Sequence, residues 1–171
     1  FYVNDAENKS IIETWKKFAE KAYGIFKAGV INCASDQEMC EEFTVYSYPS
    51  ILFFSENSSD EEEKYEGVKD IDKIYSFGAV RMQNFVRVVN SENYDDFVNS
   101  NPTQTKVLLF TARRTTPPLF KALSKYFKDK LSFGEIRQGD VELVKKFEVK
   151  VFPSILVLTD PEHFRGVTFE G

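Results

Sequence analysis

Val45-Tyr46-Ser47-Tyr48-Pro49-Ser50-Ile51-Leu52-Phe53-Phe54 reads as a tight turn that feeds a strand. Val149-Lys150-Val151-Phe152-Pro153-Ser154-Ile155-Leu156-Val157-Leu158 reads the same way. Both carry Val-x-x-aromatic-Pro-Ser-Ile-Leu at one spacing. Proline has no N–H to give to a ladder, so it belongs at the start of each strand. Two copies of one such unit mark an internal repeat, and the fold follows from what surrounds them.

Working outward, each copy has a similar series upstream. Gly24 to Ile31 reads as a strand, followed by a helix around Gln37 to Phe43. Leu131 to Ile136 reads as a strand, followed by a helix around Val141 to Phe147. Further upstream, Ile11, Ile12, Trp15, Phe18, Ala19 and Ala22 recur at helical spacing, as do Leu119, Leu123, Tyr126 and Phe127. Each half therefore runs helix, strand, helix, proline-led strand, further strand. This alternation implies an α/β fold with a mixed sheet. The second half adds a strand at Phe85 to Val89, a helix through Phe97 and Val98 capped by Asn90 or Ser91, and the apolar run Lys106 to Phe110. That run suits a buried central strand. A helix from about Asp70 ends the first half, which places a boundary near Met82 to Asn84: domain 1 over 1–83, domain 2 over 84–171.

Composition bounds the function. The 171 residues are 42% hydrophobic and 29% charged, an ordinary globular balance, with 17 Phe to build cores. The net charge of -5 argues against nonspecific nucleic-acid binding. No apolar run approaches the roughly 18–20 residues needed to cross a bilayer. Charge is uneven: residues 1–84 carry nine basic and sixteen acidic residues, residues 85–171 thirteen and eleven. Much of the acidic excess lies in Glu56 to Glu66, a run expected to form a solvated loop. Two cysteines and one histidine are too few for a disulfide scaffold or most zinc sites, so neither a metal nor another cofactor is expected. His163 has no second ligand to share a metal, and Trp15 belongs to a core face.

Cys33-Ala34-Ser35-Asp36-Gln37-Glu38-Met39-Cys40, followed by Val45 and Tyr48-Pro49-Ser50, resembles the Asp-Cys-x6-Cys…Val-x-Gly-Tyr-Pro-Thr segment of the protein disulfide isomerase family. Asn32 stands for the usual Asp and Ser47 for the usual Gly. The resemblance covers nearly the whole chain. It implies two thioredoxin-like folds in tandem, with Pro49 and Pro153 as cis prolines. It also implies that the first domain lacks its opening elements and the second its last helix. Lys106 to Phe110, Pro118 to Leu123 and Lys128 to Gly134 further resemble a thioredoxin-like module of endoplasmic-reticulum J-domain co-chaperones. By this likeness the expected place is the endoplasmic-reticulum lumen. The expected role is to bind unfolded or partly folded clients or other folding factors, or to position neighbouring domains; the alternatives are a thiol-disulfide oxidoreductase using Cys33 and Cys40 and a purely structural spacer.

In active members of that family a Cys-x-x-Cys pair opens the first long helix, whose N-terminus lowers the thiol pKa. Lys9 to Trp15 resembles Lys-x-Leu-x-Pro-x-Trp and puts Asp5, Ala6, Glu7 and Asn8 on the motif. The second copy offers Thr115, Thr116, Pro117 and Pro118. Exchange needs a thiolate, which none of these can supply. Both domains therefore read as redox-inactive, and the chain as not an enzyme. Cys33 and Cys40 admit two readings, a redox couple or a structural pair, either disulfide-bonded or two packed thiols. A bridge closing this short loop would stabilise by about 2.5 kcal/mol in the chain-entropy model. Tyr48-Pro49 and Phe152-Pro153 are candidate platforms for an extended peptide added as a strand. Arg113-Arg114 lie in a loop beside the degenerate motif. Asn8 and Asn57 fit the glycosylation acceptor pattern, with Asn57 favoured because it sits in the acidic loop.

Overall fold

Proline at the head of a strand and helical periodicity before it are satisfied twice, in two compact units, Phe1–Met82 and Gln83–Gly171. The computed structural model of the chain describes residues 1–3, 6–55, 62–160 and 165–169.

In the first unit α1 (Ala6–Lys21) and the turn after it present Trp15, Phe18 and Ala22 to a cluster with Phe26, Ile51, Tyr65 and Ile74. The Trp15 ring stacks on Phe18 at 4.8 Å between centroids. The helix α2 (Gln37–Glu42) packs Cys40 into a second cluster with Cys33, Val45 and Leu52. Two short strands follow, β1 (Leu52–Phe54) and β2 (Glu62–Lys64), paired antiparallel. Then comes α3 (Ile71–Arg81), whose N-terminal amides on Asp72 and Lys73 are accepted by the Asp70 carboxylate at 3.0 and 3.2 Å. That cap is why the helix starts where it does.

Two expectations change here. Residues 24–31 form no strand; a single parallel bridge joins Tyr2 to Asn32. A strand exists only through its partners, and the described partner of this stretch is Phe1–Val3 alone. The acidic run is not wholly a loop either. Glu62 and Glu63 lie in β2, opposite Phe54 and Phe53, and Glu63 pairs with Arg81 of α3. Residues 56–61 of that run, including Asn57, lie outside the described residues.

The second unit is built on a five-stranded sheet. Its elements are β3 (Arg87–Val89), α4 (Tyr94–Asn99), β4 (Thr105–Thr111), α5 (Pro118–Tyr126), β5 (Leu131–Arg137), α6 (Val141–Lys146), β6 (Ser154–Asp160) and β7 (Arg165–Phe169). The order is β3-β5-β4-β6-β7, parallel across the first three and antiparallel across the last two pairs. This is the expected α/β class with a mixed sheet. Residues 107–110 of the central strand β4 are all apolar because helices cover both its faces. Leu108 and Phe110 pack with Ile136, Leu156 and Leu158 toward Phe97 of α4 and Leu143 of α6. Val107 and Leu109 face the other way, toward Phe133 and Phe120 of α5.

The buried face of α5 is only partly the expected one: Leu123 and Phe127 pack against the core, but Leu119 and Tyr126 do not, and the face centres on Phe120. Phe120 and Ser124 are buried, whereas Leu119 and Tyr126 are 55% and 81% exposed. Phe120 meets Phe133 edge-on at 5.3 Å, and that fit under the sheet sets the helix rotation. Lys106, at the head of the apolar run, is buried, and its ammonium donates to the carbonyls of Ser100 and Asn101. Burial pulls its pKa below the ordinary lysine value.

Candidate functional site

The loop after Cys33 turns at once into α2. Asn32 accepts the Ala34 amide on its side chain and the Ser35 and Asp36 amides on its carbonyl. This tight return brings Cys33 within 5.8 Å of Cys40, Cα to Cα, and the two are joined by a disulfide. Both sulfur-bearing residues are buried, Cys33 at 7% and Cys40 at 2% exposure. Cys40 sits within α2 and Cys33 in the turn before it, so neither occupies the N-terminus of α1 or α5.

The disulfide adjoins the first proline corner. The Val45 amide donates to the Cys40 carbonyl at 2.8 Å, and the Tyr48 hydroxyl donates to the Val45 carbonyl at 3.2 Å. The Ser50 hydroxyl then donates to the Ser47 carbonyl at 2.6 Å. In the second unit Ser154 donates to Val151 with the same spacing and the same 2.6 Å. Tyr48-Pro49 and Phe152-Pro153 are both cis. Tyr48 is 38% exposed, while Phe152 leans onto the core of its own unit.

The family of the first unit can now be read from comparison. Residues 6–79 match the thioredoxin family. The first unit is a thioredoxin-family domain. The chain is 30% identical over 168 residues to a Dictyostelium discoideum protein bearing a protein disulfide-isomerase name, covering 95% of this chain and 41% of that one. It is 24% identical to the DnaJ protein ERDJ3A of Oryza sativa subsp. japonica, covering 91% of this chain and 28% of that protein. The chain thus spans less than half the length of either relative. Its fold matches the crystal structure of full-length ERdj5 with a TM-score of 0.65 over 99% of this chain and 26% of that one, at 20% identity.

The disulfide and the kinship overturn one expectation. The chain reads from its sequence as redox-inactive and not an enzyme, because the motif positions lack cysteine. Yet the thioredoxin-family domain holds a formed disulfide at Cys33–Cys40, and the chain is related to a protein named for disulfide isomerisation. A disulfide is itself the electrophile in thiol exchange, wherever it lies in the fold. Thiol–disulfide chemistry is therefore within this chain's reach.

The degenerate motif positions have separate fates. Ala6, Glu7 and Asn8 open α1, with Asn8 buried at 2% exposure, which closes it to a glycan; Asp5 lies outside the described residues. His163 also lies outside them. In the second unit Thr115 is exposed, and Pro117 and Pro118 start α5. Thr116 is buried and anchors a polar network that the sequence reading missed. Its hydroxyl donates to Glu135 at 2.9 Å and accepts from the Asn84 amide at 3.1 Å. Glu135 is fully buried and also pairs with Arg137. The available signal was a glutamate inside the apolar strand Ser132 to Ile136. Among the described residues no cluster of His, Cys, Asp and Glu could hold a metal, and no helix is long and apolar enough to cross a membrane.

Proposed function

We propose that this chain is a tandem thioredoxin-fold segment of a folding factor in the endoplasmic-reticulum lumen, and that it binds client polypeptides or other folding factors at its proline corners. Its domains are 1–83 and 84–171. The observation that carries this reading is the repeated corner geometry. In both units the serine after proline fixes the turn, and the main chain of Tyr48 and Phe152 makes no hydrogen bond to a described residue. Main chain held in one shape with its polar groups unspent is what strand addition by an extended peptide requires. The kinship with J-domain and isomerase-named proteins supports the same reading, and a disulfide suits an oxidising compartment.

Fluorescence anisotropy with a labelled, reduced and unfolded polypeptide tests it. Tyr48→Ala should weaken binding severalfold by removing the exposed ring, and Phe152→Ala less, because that ring is partly spent on the core. Absence of binding, or binding indifferent to both changes, would defeat the reading.

The formed disulfide favours a second activity. A client thiolate attacks Sγ of Cys33, the more exposed of the two residues, and Cys40 leaves as a thiolate. A second client thiol then displaces Cys33, leaving a client disulfide and two reduced cysteines. Burial of both sulfurs requires local opening around α2 before attack. Trapping a mixed disulfide between the free Cys33 thiol of Cys40→Ser and a disulfide-bonded client, whose other sulfur leaves as a thiolate, supports this; a wild-type bond inert to glutathione at native pH excludes it.

A further inference from the structure

We infer that the second unit binds acidic polypeptide segments in an arginine-lined cleft at the carboxyl ends of β4 and β5. In an open α/β sheet the crevice beyond the carboxyl ends of parallel strands is where ligands sit. Here β4 and β5 are parallel and end level, Thr111 opposite Arg137. The loops that leave them line a cleft with Arg113, Arg114 and Arg137.

Charge and hydrogen bonding select the occupant. Arg137 is already committed: it pairs with the buried Glu135 and donates to the Arg113 carbonyl. Its positive charge is thereby balanced, and it braces the loop that carries the other two. Arg113 and Arg114 are exposed, and among the described residues neither side chain makes an ion pair. Two unbalanced guanidinium forks remain, and such forks match carboxylates two bonds at a time.

Three backbone amides at the cleft are already spent. Gln138 donates to the Thr111 carbonyl, Arg113 to the Thr111 hydroxyl and Asp140 to the Arg137 carbonyl. The exposed positive charge of the cleft therefore sits on side-chain forks, with only part of the backbone left to cradle an anion. It suits carboxylates carried on a chain. The cleft shares no lining residue with the proline corners, although the second corner is its neighbour, Ser154 lying opposite Phe110; charge recognition here and peptide pairing there are told apart by the Arg113/Arg114 and Phe152 variants.

The test is anisotropy with a short labelled Glu/Asp-rich peptide and its Gln/Asn counterpart, using the full chain. The acidic peptide should bind about tenfold more tightly, the scale of charged hydrogen bonds. Its binding should weaken as salt rises from about 50 to about 200 mM, and the counterpart's should not. Arg113→Ala/Arg114→Ala should abolish the preference without changing thermal unfolding, since both side chains are solvent-exposed. Arg113→Glu/Arg114→Glu should turn the preference toward a Lys-rich peptide. Equal binding of the two peptides, a preference surviving in the double alanine variant, or displacement by an equal concentration of inorganic phosphate would overturn the assignment.

Discussion

Tyr94 shows how one buried side chain ties stability to pH. Its ring lies against Phe147 at 5.7 Å, with the Lys146 ammonium 4.7 Å above it. Burial, reinforced by the neighbouring Asp95 charge, pushes its phenol from 10.0 up to about 12. Unfolded, it ionises near the lower value. The unfolded chain thus sheds a proton that the folded chain retains, and stability falls as pH rises between those limits. Tyr94→Phe removes this dependence. In urea unfolding of the second unit, wild type should lose stability relative to the variant from pH 10 to about 12. Parallel decline of the two would show that the phenol is not shifted. Lys106 acts in the opposite sense, because its lowered pKa means that burial disfavours the charged form; the comparison with Tyr94→Phe cancels that contribution.

Gly134 sets the close packing of β5 as an element. A Cβ there would lie 2.9 Å from Leu108, Phe97 and Val89, all of one core. Gly134→Ala should destabilise the second unit by about 1–3 kcal/mol through overpacking. A denaturation midpoint that does not move would show that the core can yield. The same neighbourhood shows what pattern alone conveys about elements. The apolar run Lys106 to Phe110 was legible as a central strand because covering both faces demands unbroken apolar sequence. The rotation of α5 was not legible: Leu119 and Phe120 differ little in hydrophobicity, and only the fit of Phe120 against Phe133 chooses between them. Residues 24–31 look like a strand by composition but lack the partners that would make one.

Across the whole molecule, both cysteines fall in the first unit. Reduction should therefore lower the stability of that unit by about 2–3 kcal/mol and leave the second unit unchanged. Calorimetry with and without reductant, paired with fluorescence of Trp15, the single tryptophan, separates the two. The fluorescence transition should move and the remaining heat should not. A shift of both transitions, or of neither, would contradict this.

The repeat Val-x-x-aromatic-Pro-Ser-Ile-Leu determined the α/β class, the two-part organisation and the candidate corners, because proline and strand periodicity act locally. The formation of the Cys33–Cys40 bond was left open by the sequence, since a disulfide depends on where the backbone places two Cα atoms. The Thr116–Glu135–Arg137 network and the arginine cleft above it were also decided only by tertiary structure. They join β5 to the loops before β3 and α5 and to the loop after β4, through the register of β4 on β5, and no local pattern records that register.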